Sequence, residues 1–166
     1  KEVYEQPNNV FVGGFIGSPA MNFFTGTLTD GKFHIGNTSI TVPQERMKDL
    51  LAQSYNNKEV IMGIRPEDFH DEQAFIESTP GSRVDVAIEV AELLGAEIML
   101  YSQIEGHQFI ARVDSNATAK PGQVLPLALD MNKVHFFDKD TENRIIPGNS
   151  GQNKGNEGTE KPVIVG

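Results

Sequence analysis

The sequence predicts a mainly β chain, folded as a small barrel or sandwich with one or two short helices. From Asn22 onward, apolar residues recur at period two in short runs rich in Thr, Phe and branched side chains, the pattern of half-buried strands. Turn signals separate these runs at intervals of about 8 to 12 residues. The length, 166 residues, allows one domain or two small ones. A chain of this size buries roughly 70% of its unfolded surface, so its core needs no metal or disulfide support.

The first strands are marked by Phe24, Leu28, Phe33, Ile35, Ile40 and Val42, with Thr, His and Asn between them. Asp30-Gly31 predicts a tight hairpin turn, because a two-residue turn of the right hand needs positive φ. Asn37-Thr38 predicts the next turn. Met47, Leu50, Leu51 and Tyr55 fall at helical spacing, with Pro43 near the start and Asn56-Asn57 to end the helix. Residues 59–65 then read as a buried strand stopped by Pro66, which cannot donate to a sheet ladder. Residues 67–83 are polar, acidic and punctuated by Pro80-Gly81, and predict a long connection.

Val84, Val86, Ile88 and Val90 alternate with Asp85, Ala87, Glu89 and Ala91. A helix can be drawn here, but four branched residues at period two favour one strand, broken by Gly95. Residues 98–104 and 109–113 around Glu105-Gly106 predict a second hairpin. Lys120-Pro121-Gly122 turns into a strand over 124–129, and 134–137 is a last short strand. Residues 147–161 lack apolar side chains and predict a disordered tail over 147–166, because nothing there offsets an ordering cost of about 1–2 kcal/mol per residue.

Charge and composition remove several function classes. Fourteen Lys and Arg against 23 Asp and Glu give a net charge of −9, a poor match for phosphate backbones or anionic lipid, so nucleic acid is not an expected partner. Cysteine is absent, which removes disulfides, thiolate metal sites and cysteine nucleophiles. No run approaches the roughly 18 apolar residues of a membrane span. Residues 1–10 carry no secretion signal.

Chemical motifs fail on context. Gly26 to Lys32 has the phosphate-loop spacing G-x-x-x-x-G-K, but Phe33 stands where a magnesium-binding hydroxyl belongs, and the segment alternates as a hairpin does. His34, His70, His107 and His135 are scattered, and Asp68, His70, Asp71 and Glu72 read as a solvated acidic loop; no metal is expected. Gly148-Asn149-Ser150-Gly151 is one residue short of a nucleophile elbow. The carboxylates of Asp85, Glu89 and Glu92 suit the wet face of a strand. The sequons at Asn37 and Asn116 are of a kind common by chance. No catalytic residue is expected.

Two segments are specific. Pro7-Asn8-Asn9-Val10-Phe11-Val12-Gly13-Gly14-Phe15-Ile16-Gly17-Ser18-Pro19-Ala20-Met21-Asn22-Phe23 and Gly63-Ile64-Arg65-Pro66-Glu67 resemble the ATPase subunits of carbohydrate-importing ABC transporters, of the maltose and multiple-sugar type. Glu92-Leu93-Leu94-Gly95-Ala96-Glu97, Lys120-Pro121-Gly122 and Val134-His135-Phe136-Phe137-Asp138 extend the resemblance over residues 1–146. Gly13 departs from the family's usual Ala, and should loosen its segment by roughly 0.5–1 kcal/mol if helical. The nucleotide motifs, Walker A, Walker B and the ABC signature, are not present.

The resemblance implies a trailing ATPase segment and connector over residues 1–21, with a helix near 9–16. Residues 22–146 would then be a transport-associated, OB-fold-like β-barrel region, and 147–166 a flexible tail. It implies a non-catalytic regulatory and dimerisation domain, cytoplasmic and peripheral on the membrane, with no cofactor of its own. ATP and magnesium would bind an upstream domain, and that domain would contact the permease subunits. A homodimer and, in some relatives, a sugar-phosphotransferase regulator are the implied partners. Phe23, Gly63, Arg65, Glu67 and Glu92 fall in or beside the matching motifs and are the expected partner or interface residues. Burial of Phe23, close backbone approach at Gly63, and a structural ion pair for Arg65 and Glu67 are the competing readings. The alternative function is a small-ligand or oxyanion-binding module of the same barrel type.

Overall fold

The computed structural model describes residues 21–114 and 119–146. The expectations for residues 1–20, for the sequon at Asn116 and for the tail from 147 lie outside the described residues.

Eleven described strands pair antiparallel in three sheets. The first sheet has five: β1 (Asn22–Thr29), β2 (Lys32–Ile35), β3 (Thr38–Thr41), β4 (Lys58–Ile64) and β11 (His135–Asp138), in the order β11-β4-β1-β2-β3. The second is β5 (Phe69–His70), β10 (Val124–Leu129) and β6 (Arg83–Ala87), with β10 in the middle. The third is β7 (Val90–Leu94), β8 (Glu97–Ile104) and β9 (His107–Asp114), in sequence order. Their inner faces share one core, with Phe24, Phe33, Ile64, Leu100, Phe109 and Leu127 among its members. Phe69 stacks on Phe109 with centroids 4.8 Å apart, joining the second sheet to the third.

Both predicted hairpins form. Asp30 and Gly31 take φ of 53° and 76°, and Glu105 and Gly106 take 49° and 86°, so each turn is left-handed at both central residues. The turn between β2 and β3 centres on Gly36 (φ 56°) and Asn37, one residue earlier than expected. Helix α1 (Gln44–Ala52) stops short of Asn56 because Ser54 turns left-handed (φ 69°). The Ser54 and Tyr55 N–H groups then donate back to Leu51 and Leu50, closing the helix and placing Tyr55 outside it.

Two expectations are corrected. The run from Val84 to Val90 is not one strand. It leaves the second sheet after Ala87 and enters the third at Val90, because the Ile88 N–H donates to Gln123 (2.9 Å) while the next, Glu89, donates to Tyr101 of β8 (2.9 Å). The connection over 67–83 is not structureless: it holds a 3-10 turn (Pro66–Asp68), β5, helix α2 (Gln73–Ser78) and a second 3-10 turn (Pro80–Ser82). Pro66, expected only to stop a strand, also opens the first of these turns.

Gly26 faces the core in β1, where an added Cβ would run into the His34 carbonyl oxygen and lie 2.7 Å from the Phe33 ring. Backbone and core ring cannot both yield, so Gly26→Ala is expected to lower unfolding free energy by about 2 kcal/mol in urea denaturation. An unchanged midpoint would show that β2 can shift away.

Candidate functional site

Phe23 and Gly63 lie side by side, paired across β1 and β4, and His135 of β11 pairs Gly63 from the other side. Here the five-stranded sheet carries a second apolar cluster, Met21, Ile61 and Phe137 with half-buried Phe23, on the face away from the main core. Phe23 and Phe137 meet edge to face at 5.8 Å. Gly63 makes room for them: a Cβ there would lie 3.0 Å from Phe137 and 3.1 Å from Phe23. Phe23 is therefore half-buried, and Met21, Ile61, Gly63 and Phe137 around it are buried, on the face opposite the main core.

Arg65 and Glu67 follow β4 on either side of Pro66. Glu67 comes within 4.0 Å of Arg112 on β9, and Arg112 also pairs Glu97 at 3.5 Å. Glu92, Met99 and Arg112 form one register row across β7, β8 and β9, and so share the outer face of the third sheet. Glu92 accepts a hydrogen bond from the Tyr101 hydroxyl at 3.0 Å. The structure thus sets Glu67 and Glu92 at the two ends of a row centred on buried Met99, while Phe23 and Gly63 occupy a different sheet. Sequence reasoning missed Phe137, Met99 and Arg112 as parts of these surfaces. Phe137 sat in a predicted strand, but nothing in the sequence signalled which face it would take.

Asp68 is buried in the turn after Arg65, 5% exposed. Burial, reinforced by neighbouring Glu67, pushes its carboxyl up to about 6, against partial relief from Lys133 and Arg65. His70 instead faces Phe75, with rings stacked at 4.1 Å, and contacts Glu72 at 3.0 Å. Among the described residues no group of three or more His, Asp and Glu is placed to hold a metal ion. Gly26 to Lys32 form the β1–β2 hairpin, so no helix N-terminus stands behind this spacing to receive a phosphate. A hydroxyl–imidazole pair joins Ser39 Oγ to His34 Nδ1 at 2.9 Å. The other imidazole nitrogen faces the Thr29 carbonyl at 3.3 Å rather than a carboxylate, so the pair lacks the usual orienting acid.

Two family models cover most of this architecture: the MalK OB fold domain matches residues 17–69, and the TOBE domain matches residues 78–136. The chain carries these two domains in tandem. Both are non-catalytic domains of ABC transport ATPases. Among relatives, the oligosaccharides import ATP-binding protein MsmX of Bacillus subtilis is 59% identical over 145 residues, 87% of this chain and 40% of that protein. The multiple sugar-binding transport ATP-binding protein MsmK of Streptococcus mutans is 43% identical over 145 residues, 86% of this chain and 38% of that protein. The chain thus spans about two fifths of the length of these relatives. In fold it resembles the cytoplasmic molybdate-binding protein ModG, with a TM-score of 0.55 and 13% identity over 73% of this chain and 98% of that one.

The OB and TOBE segments are not separate bodies. β11, from the TOBE side, completes the OB sheet beside β4, and β5, from the OB side, pairs β10 of the TOBE segment. The Asn22 amide fastens them again: its Nδ2 donates to the Ile64 carbonyl (3.1 Å) and the Ile110 carbonyl (2.9 Å), and its Oδ1 accepts the Ile110 N–H (2.9 Å).

Proposed function

We propose that this chain is the regulatory and dimerisation domain of the ATP-binding subunit of a carbohydrate-importing ABC transporter. The observation that carries the reading is the tandem of OB and TOBE domains, within a stretch 59% identical to an oligosaccharide-import subunit. On this reading the domain holds two ATPase subunits together at the cytoplasmic face of the membrane. Nucleotide and magnesium bind a domain outside this chain, which also meets the permease subunits. On this reading Phe23 beside Gly63, and the Glu67–Glu92 row, are where the second subunit and a sugar-phosphotransferase regulator would bind.

A chimera tests this. MsmX whose matching segment is replaced by this chain should restore growth of a Bacillus subtilis strain lacking MsmX on an oligosaccharide it imports. The separate chain should sediment as a dimer and give no heat with ATP and magnesium. A chimera that accumulates as folded protein yet restores no growth would sink the reading. So would a chain that stays monomeric at high concentration and binds molybdate, which would favour the ligand-module alternative.

A further inference from the structure

We infer that the outer edge of β7 is a docking site for an extended, basic segment of another protein, which joins the third sheet as a further strand. This does not rest on the transporter reading and survives its failure.

β7 is the end strand of its sheet, bonded on one side to β8. Among the described residues, no backbone hydrogen bond engages its other side. A free edge is normally blunted by short length, Lys, Pro or a bulge. Another end strand, β3, follows that pattern: it has Thr38, Ser39 and Thr41, with only Ile40 buried. β7 has the opposite character: Val90, Leu93 and Leu94 are 51%, 67% and 51% exposed, three large apolar side chains within five residues. Its one charged residue, Glu92, is drawn back over the sheet by the Tyr101 hydroxyl and so leaves the edge open. An unpaired ladder flanked by alternate apolar side chains is the receptor for strand addition, with main-chain bonds supplying affinity and side-chain contacts supplying selectivity.

Charge selects the occupant. Between Arg83 and Arg112 the sequence has Asp85, Glu89, Glu92, Glu97 and Glu105 and no Lys or Arg. Of these, Asp85 is matched by Arg83 and Glu97 by Arg112, and Glu105 accepts from Thr38, whereas Glu89 and Glu92, at the start and middle of the edge, accept only from the neutral Gln103 and Tyr101. A second copy paired edge to edge about a twofold axis at the middle of β7 would set Glu92 against its own counterpart, in a chain already at −9. A segment with apolar residues alternating with Lys or Arg meets both the exposed Val and Leu side chains and the carboxylates.

The probe is a capped, fluorophore-labelled octapeptide of alternating lysine and valine, titrated into the 166-residue chain at about 0.15 M salt. Saturable binding is expected, with amide shifts concentrated in residues 90–94. Leu93→Lys, a change at a mostly exposed site, should weaken it at least tenfold. The same peptide N-methylated on two successive residues, which blocks both of its edges, should bind at least tenfold more weakly, as should an alternating glutamate–valine peptide. Equal binding of the N-methylated peptide would reduce the interaction to unspecific charge attraction and overturn the proposal. So would absent binding, shifts that bypass residues 90–94, or a dimer of the free chain that Leu93→Lys dissociates.

Discussion

Replacing Asn22 with alanine is expected to lower unfolding free energy by about 3 to 4 kcal/mol. The amide is 8% exposed, and its three hydrogen bonds tie β1 to β4 and to β9. Removing it strands two carbonyls and one N–H in a place water reaches poorly, each costing about 1–3 kcal/mol, with partial relaxation. Asn22→Asp should be worse at neutral pH, since a carboxylate would face the two carbonyls that now receive Nδ2, and should recover on acidification. Urea denaturation followed by far-UV circular dichroism checks both; a loss below about 1 kcal/mol for the alanine variant would mean that β9 is held by its packing alone.

Asp68→Asn is expected to act in the opposite direction. The folded carboxyl sits at about 6 against an ordinary 3.8, so the folded chain holds this proton more tightly than the unfolded one does. Below about pH 4 both states are protonated and the group is neutral in its effect. Between about 4 and 6 the unfolded chain ionises first, and stability falls as pH rises; above about 7 the loss is complete, at about 2 to 3 kcal/mol. The asparagine variant lacks this loss. Its advantage over the parent should therefore be near zero at pH 4 and grow to a plateau above pH 7. A constant difference across that range, or a less stable variant at pH 7.5, would show that the carboxylate is well solvated.

The elements that sequence reveals best are those whose cause is local. Asp30-Gly31 and Glu105-Gly106 set their hairpins because the turn demands positive φ, and the alternation of β1 and β9 follows from burial of one face. The change of sheet at Ile88 and Glu89 left no such mark. Ile88 is buried and in phase with Val84 and Val86, so the apolar period continues to the residue where the hydrogen-bonding partner changes. Helix α2, six residues long with Ile76 its one buried side chain, is too short to display a helical period. The surfaces divide in the same way. Phe23 and Gly63 were visible as motif residues, whereas the pairing of Arg112 with Glu67 and Glu97 depends on strands that meet only in the folded chain.

The place of β11 beside β4 governs the order in which this protein can be made. Ile61 pairs with Phe137, and the OB sheet keeps one open flank until that late strand has left the ribosome. Until β11 follows, about seventy residues later, the nascent chain must hold Val60 to Ile64, a nearly continuous apolar strand, without its final neighbour. Such distant pairing slows folding and lengthens the exposure of sticky sequence. The sheet of the first segment is thus completed only when the end of the second has been made, which ties the folding of the two segments together.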